Sequence, residues 1–379
     1  MSIIKFESVK IFYLTDQTYL HGGIEKVLSQ KANYFADVHG DEVTIVTYNQ
    51  QGRDAVYPLS EKIKRVDLGI NYETGISYFH PANLKKILKH RHALKKILKE
   101  IQPEVVISCS FGPDFYFIPS LEKHIPKIKE FHASRFFDRS AGMKDMLLKF
   151  LGKHLEQKYD RLALLNPSEV RYYSGKISVI PNPAEFSDFR ADWSSKKIIA
   201  AGRISPVKDF DSLIHVFSAV AAEFPDWELH FWGEDYLATQ AKLEMLVHQY
   251  GLSDQIRFMG RTPDLKKEMQ QYSIYAMTSE TECFPMVLLE SLSMGMPVIS
   301  LDAPTGPKHI VTDNEDGFIV PYKNLDIFTE KLKQMMHDEN LRRLMGKKGQ
   351  ENVRRFSSEK VMKQWKELFH QLLFSQPQP

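Results

Sequence analysis

The chain has 379 residues, with 50 Lys and Arg against 48 Asp and Glu, a formal net charge of +2. Near-balanced charge gives no support to a general nucleic-acid binder, and 43% apolar with 26% charged residues describes a soluble globular protein. A length beyond the usual single core makes two domains the expectation. The charge is uneven: residues 1–190 hold 28 Lys and Arg against 22 acids, or +6, and the remainder 22 against 26, or −4. The first half is therefore expected to meet something acidic, such as phosphate or an anionic membrane surface. The two cysteines, Cys109 and Cys283, imply neither a disulfide framework nor a cysteine metal site, and point to a reducing compartment. Met1-Ser2-Ile3-Ile4-Lys5 lacks the basic start of a secretory signal, and no apolar run approaches the roughly 18 residues a spanning helix needs. A cytoplasmic protein is expected.

Strand-like runs alternate with helical stretches, which predicts parallel sheets covered by helices. In the first half the strands are Val9–Thr15, Glu42–Tyr48, Ile63–Leu68, Val105–Cys109, Lys127–Phe131, Leu162–Leu165 and Ser178–Ile180. Pro181-Asn182-Pro183 interrupts helix and strand alike, and the segment through Ser195 reads as a linker. The second half gives Lys197–Ala201, Glu228–Trp232, Ile256–Met259, Ile274–Thr278, Pro297–Leu301 and Phe318–Val320, then helices over Ile327–Met336, Glu339–Arg355 and Ser358–Phe374. Each half is thus a doubly wound α/β domain, with ligands expected at the carboxyl ends of its strands. The domains are residues 1–190, with a terminal helix of about 358–379, and residues 191–357.

Several groups could carry chemistry. Gly22-Gly23 follows the first strand at a helix start, where missing side chains let another molecule approach the backbone; an ordinary tight turn fits as well. Arg203 and Lys208 lie five residues apart on the loop opening the second half, a fork and a point charge suited to a diphosphate; two solvated cations are the alternative. His132, directly after a strand, can exchange a proton near neutral pH, although a structural histidine is commoner. His90 and His92 lie on a lysine-rich helix and read as surface groups. That helix, Leu84–Ile101, has an apolar face of Leu84, Ile87, Leu88, Leu94, Ile97, Leu98 and Ile101 and an otherwise basic surface. It fits an anionic membrane, or a sheet-covering helix with a solvated face. The segment with Met143, Met146, Leu147, Leu148, Phe150 and Leu151 raises the same question, with core or a site wall favoured.

The richest stretch runs from Thr278 to Pro307. The turn Ser279–Phe284 carries Glu280, Thr281 and Glu282; Pro285 is placed as the first helical residue, Met286–Met294 continue the helix, and Gly295 ends it in a left-handed cap. A helix starting at a strand's carboxyl end can hold an anion at its free N–H groups. Glu290 stands among Val287, Leu288, Leu289, Leu292 and Met294, so it needs partners if buried. A capping Glu282 with a solvent-facing Glu290 remains open on these residues alone.

Together the pieces resemble the retaining, Leloir-type glycosyltransferases of family 4. The resemblance rests on Gly22-Gly23-Ile24-Glu25-Lys26, Val179-Ile180-Pro181-Asn182-Pro183, Gly202-Arg203 with Lys208, and the E-x7-E pair Glu282 and Glu290 with Phe284-Pro285 before the helix and Gly295-Met296-Pro297-Val298 after it. It implies the GT-B fold, two Rossmann-like domains facing each other across a cleft with the C-terminal helix crossing back. Arg203 and Lys208 would then grip the diphosphate of a nucleotide sugar, Glu290 would bind ribose and Glu282 the donor sugar. The amides after Pro285, at Met286 and Val287, would face the donor, and Arg261-Thr262 would border the base. His132 and Gly22-Gly23 would approach the reacting sugar. The resemblance further implies no cofactor and no metal, two fixed cations replacing the ion. Asp209-Phe210-Asp211 could hold a divalent cation, but its position favours carboxylates at a helix start. The expected acceptor is a glycan or lipid-linked glycan in bacterial surface polysaccharide synthesis, with peripheral contact at the inner membrane surface through the basic first domain. After Asp302-Ala303-Pro304-Thr305-Gly306-Pro307 the chain departs from its relatives, carrying Lys308-His309 where they commonly place an acid; Thr305-Gly306-Pro307 leans toward uridine diphosphate sugars. The rival readings are a nucleotide-sugar epimerase or glycan phosphorylase of the same fold, and a non-catalytic two-lobed sugar-binding protein.

Overall fold

A computed structural model describes residues 7–73, 75–78, 80–136 and 143–374, and the side chains of 143–149 fall outside that description. The chain divides into two compact units. Unit one comprises Met1–His132, Asp138–Pro183 and Ser358–Pro379; unit two comprises Ala133–Phe137 and Ala184–Ser357. The division falls at Pro183 rather than at residue 190, because Ala184 N donates to Phe356 O at 2.7 Å within the second unit.

The first unit runs β1 (Lys10–Thr15), α1 (Gly23–Tyr34), β2 (Glu42–Thr47), β3 (Lys64–Asp67), α2 (Pro81–Ile101), β4 (Val105–Ser108), α3 (Asp114–Phe117), β5 (Lys127–Phe131), α4 (Met143–Glu156), β6 (Arg161–Leu164) and β7 (Ile177–Val179). Its strands form a parallel sheet in the order β3-β2-β1-β4-β5-β6-β7, with Ile11 of β1 in register with Val43 on one side and Val105 on the other. Such crossovers need helices on both faces, so most strands are buried throughout.

In the second unit the order is β8 (Lys197–Ala201), α5 (Phe210–Ser218), β9 (Glu228–Trp232), α6 (Thr239–Gln249), β10 (Ile256–Gly260), α7 (Leu265–Met269), β11 (Ile274–Met277), α8 (Met286–Ser293), β12 (Val298–Leu301), β13 (Gly317–Val320), α9 (Leu325–His337) and α10 (Glu339–Asn352). These strands are parallel in the order β10-β9-β8-β11-β12-β13, so the strand sequence reverses direction between β8 and β11. A last helix, α11 (Ser358–Phe374), belongs to the first unit, where Trp365 and Phe369 join the core beside Phe35 and the Lys366 ammonium sits 2.7 Å from Asp41 Oδ1. That pair is almost fully buried, so removing one partner would cost about 3–5 kcal/mol.

Every predicted strand is present, each end within one residue of its expected place. The lysine-rich helix differs in which face it buries. α2 starts at Pro81, and its inner face carries Asn83, His90, Leu94 and Leu98, whereas Leu84 is 47% and Leu88 71% exposed. His90 is fully buried, not a surface group: its Nδ1 lies 3.2 Å from Tyr72 Oη and its ring packs on Tyr48 and Phe117. Polar residues win this face because the loop before the helix has backbone groups to satisfy. Asn83 Oδ1 accepts from Glu73 N, and Asn83 Nδ2 donates to the Glu73 and Ser77 carbonyls. On α4, Phe150 is 71% and Leu151 44% exposed, so these two are not core; Met143, Met146, Leu147 and Leu148 have side chains outside the description. Among the described residues no helix is long and apolar enough to cross a membrane.

Candidate active site

In the second unit, the β8 and β11 loops leave the carboxyl edge where the strand order reverses, the position at which open parallel sheets bind ligands. Backbone approach is close there. A side chain on Gly233, after β9, would meet the Gly202 carbonyl at 1.8 Å, so the β8 and β9 ends touch through their glycines. The loop then passes Arg203 and a short 3₁₀ turn, Pro206–Lys208. From that turn Lys208 reaches Glu282, its Nζ 2.6 Å from Oε1, with both side chains partly buried. Glu280 N donates to Val207 O at 2.9 Å and the Thr278 hydroxyl to Asp209 O at 2.8 Å, so one backbone and one side-chain hydrogen bond also tie the two loops.

The following helix differs from expectation by one residue. Pro285 is extended, with ψ 111°, and stands as the N-cap of α8 rather than as its first helical residue. Leu288 N already turns back to Pro285 O, while the amides of Met286 and Val287 find no acceptor among the described residues, leaving two donors at the helix start. Gly295 has φ +75° and closes the helix as predicted. Glu290 is buried at 7% exposure, which removes the solvent-facing alternative. Both carboxylates act on one group: burial pushes the Tyr275 phenol up, its bond to Ala201 opposes this, and Glu282 and Glu290 add to the rise.

The loop after β12 completes this edge. Thr305 pairs with Glu282 in an isolated parallel bridge, its Oγ1 donating to the Glu282 carbonyl at 3.2 Å, and its φ of +90° is a strained value for a threonine. A side chain on Gly306 would meet that carbonyl at 2.6 Å. Lys308, the departure from the family pattern, pairs with Asp302 Oδ2 at 3.0 Å. The sequence reading missed the holding role of Thr305, although its Thr-Gly-Pro run was visible. It noted Thr281 but not Ser279, and the buried hydroxyls of both have no hydrogen-bond partner among the described residues.

Other predicted residues sit at the same edge with looser contacts. Arg203 is exposed, its guanidinium 5.4 Å from the Tyr236 ring. Arg261 follows β10 and lies 3.6 Å from Glu234 Oε2, while Thr262 Oγ1 accepts from Asp264 N. Asp209 and Asp211 hydrogen-bond each other at the start of α5; burial first, then this contact, pushes the Asp209 carboxyl up to about 7.

In the first unit, Gly22 is the N-cap of α1 and Gly23 its first residue. Their openness differs: a side chain on Gly22 would meet Glu25 Oε2 at 2.2 Å, whereas one on Gly23 would meet nothing within 4 Å. Gly22 therefore makes room for this chain's own Glu25, and only Gly23 offers open backbone. His132 follows β5, its Nε2 2.8 Å from Glu130 Oε2.

Comparison with known proteins places both halves. Residues 182–352 match the model described as Glycosyl transferases group 1, and residues 21–187 match Glycosyltransferase Family 4. Together the two matches support a glycosyltransferase of GT-B fold. It is 25% identical to an uncharacterized glycosyltransferase of Haemophilus influenzae, over 91% of this chain and 95% of that one. It is 24% identical to a Campylobacter jejuni α-1,4-N-acetyl-D-galactosaminyltransferase that acts on an undecaprenol-linked GalNAc acceptor, over 92% and 94%. An exopolysaccharide phosphotransferase of Streptomyces coelicolor is 31% identical, but the match spans 54% of this chain and only 22% of that protein. Sucrose-phosphate synthase from Thermosynechococcus elongatus superposes with a TM-score of 0.81 at 18% identity, covering 97% and 99% of the two chains. A Staphylococcus aureus TarM variant in complex with UDP gives 0.79 at 16%, covering 95% and 99%. At such identities these structures establish the GT-B fold alone. Further relatives are an amylovoran biosynthesis glycosyltransferase of Erwinia amylovora and a poly(ribitol-phosphate) α-N-acetylglucosaminyltransferase of Staphylococcus aureus.

Proposed function

We propose that this glycosyltransferase moves a hexose or N-acetylhexosamine from a nucleotide diphosphate sugar, a uridine diphosphate sugar by preference, to a glycan or lipid-linked glycan with retention of configuration. The observation that carries the proposal is the 2.6 Å Lys208–Glu282 pair at the point where the second unit's strand order reverses. A fixed cation beside a sugar-binding carboxylate suits a donor whose sugar and diphosphate are adjacent. Arg203 and the Met286 and Val287 amides supply further positive groups at this edge, which supports neutralising the leaving diphosphate without a metal. Glu290 is assigned to ribose, Arg261-Thr262 to the border of the base, and His132 and Gly22-Gly23 to the reacting sugar. With Glu282 engaged by Lys208, we assign no carboxylate nucleophile. Attack on the same face through an oxocarbenium-like state, with the leaving phosphate taking the acceptor's proton, fits this set.

The relatives' names support bacterial surface polysaccharide synthesis, and the undecaprenol-linked acceptor of the Campylobacter enzyme supports a lipid-linked acceptor. The exposed Leu84 and Leu88 beside the lysines of α2 support peripheral contact of a cytoplasmic enzyme with an anionic membrane surface. The test is a donor screen with product analysis. Sugar consumed only with an acceptor marks a transferase; conversion of the donor alone would mark an epimerase, and tight binding without turnover a sugar-binding protein.

A further inference from the structure

The first unit holds a buried charge cluster of which the assignments above use only His132. Alternate residues of a strand share a face, so Glu130 of β5 and His132 just beyond it project to the same side. There the Glu130 carboxylate accepts from the Lys31 ammonium of α1 and from His132 Nε2 at 2.8 Å. The Lys31 and Glu130 side chains are each 3% exposed and that of His132 9%. The ammonium also lies 4.5 Å from the Trp365 ring of α11 and 5.5 Å from the Tyr13 ring of β1. The crevice beside the pair, lined by Lys31, Glu130, Asn182 and Trp365 among others, is too narrow for a water molecule, so protein groups must satisfy the charges. As a strut alone, two apolar side chains would serve as well. What the ions add is a fixed acceptor for the histidine ring.

Burial by itself would raise the Glu130 carboxyl; Lys31 and His132 reverse that and bring it down to about 2. The remaining groups around it are the Tyr13 phenol, the Cys109 thiol and Lys129, and none of these hydrogen-bonds the carboxylate among the described residues. A carboxylate only accepts, so the hydrogen in its contact with the ring belongs to His132 Nε2. His132 Nδ1 makes no hydrogen bond among the described residues.

We infer that Glu130, braced by Lys31, is a positioning residue that fixes His132 in the Nε2–H tautomer and leaves Nδ1 as an acceptor for a hydroxyl of the sugar substrate. The substrate rests on the proposed function; the tautomer rests on the Glu130–His132 hydrogen bond alone.

Two readouts test this on the full chain. Long-range ¹H–¹⁵N correlation of the ring, assigned by comparison with His132→Ala, should show the proton on Nε2 in the wild type and a shift toward Nδ1–H in Glu130→Gln. Kinetics should show kcat falling at least about tenfold in Glu130→Gln with donor KM little changed. The Lys31→Met/Glu130→Gln double variant removes both buried charges. A merely structural pair would then recover melting temperature and turnover together, whereas a positioning role recovers the first without the second. An Nδ1–H ring in the wild type, or wild-type kcat in the double variant, overturns the inference. A wild type inert toward every nucleotide sugar overturns the proposed function instead, and the ring spectrum then decides the tautomer by itself.

Discussion

Lys208 Nζ lies 2.6 Å from Glu282 Oε1, joining the loop after β8 to the turn after β11 across 74 positions of sequence. Neither side chain is fully buried, so the pair can open to a ligand without stranding a charge in the core.

Lys208→Ala and Glu282→Gln should each lower sugar transfer by roughly 10²–10³-fold while leaving the melting temperature within a few degrees, because the groups act on developing charge and not on the core. Initial rates with calorimetry on the same preparations check this. Near-wild-type turnover in either variant would remove these residues from the site.

Gly23→Ala separates stability from ligand approach. The added methyl meets nothing within 4 Å, so folding stability should hold or rise, by at most about 0.5–1 kcal/mol. If a sugar reaches this backbone, kcat/KM should nevertheless fall. Unchanged kcat/KM would take the glycine loop out of the reaction.

Asp209 should make the protein less stable as pH rises. Its carboxyl is held up to about 7 when folded, so between about pH 4 and 7 the native state carries a proton that the unfolded chain has lost. Stability from this residue is complete below the unfolded pKa and is lost through the folded one. Asp209→Asn, well suited to the left-handed φ of +50°, should abolish that slope, as melting temperatures from pH 5 to 8 would reveal.

His90 should act in the opposite sense. Burial pushes its ring down to about 3, so it stays neutral when folded while the unfolded ring charges below about 6.5. Its contribution is present above that pH and fades on acidification toward 3. His90→Phe keeps the ring packing against Tyr48 and Phe117, and its urea-unfolding free energy should fall less between pH 7 and 4.5 than the wild type's.

Leu84 and Leu88 stand out from α2 between lysines. Cosedimentation with phosphatidylglycerol vesicles should exceed that with phosphatidylcholine, weaken with salt, and drop in Leu84→Gln/Leu88→Gln. Equal binding to both lipids, or none to either, would count against membrane contact.

Much of the fold was legible because its signals are local. Short, mainly apolar runs between turn residues marked the strands, and Gly295 marked the left-handed end of α8. The spacing of Glu282, Glu290, Arg203 and Lys208 was readable for the same reason, since each pair lies within a stretch of nine residues or fewer. The misreadings came where burial depends on distant chain. His90 and Leu88 both lie on α2, but Tyr48 and Tyr72 beside the ring and the Glu73 and Ser77 backbone held by Asn83 decide which is inside.

By itself the sequence determined the α/β alternation, the order of the strands along the chain and the family motifs, all products of spacing between near neighbours. Only the tertiary structure decided that Lys208 meets Glu282, that Thr305 holds the Glu282 carbonyl, and that Lys31 grips Glu130 across 99 positions. Those contacts depend on sheet order and on which helix covers which face, and packing sets both only once the chain has closed on itself.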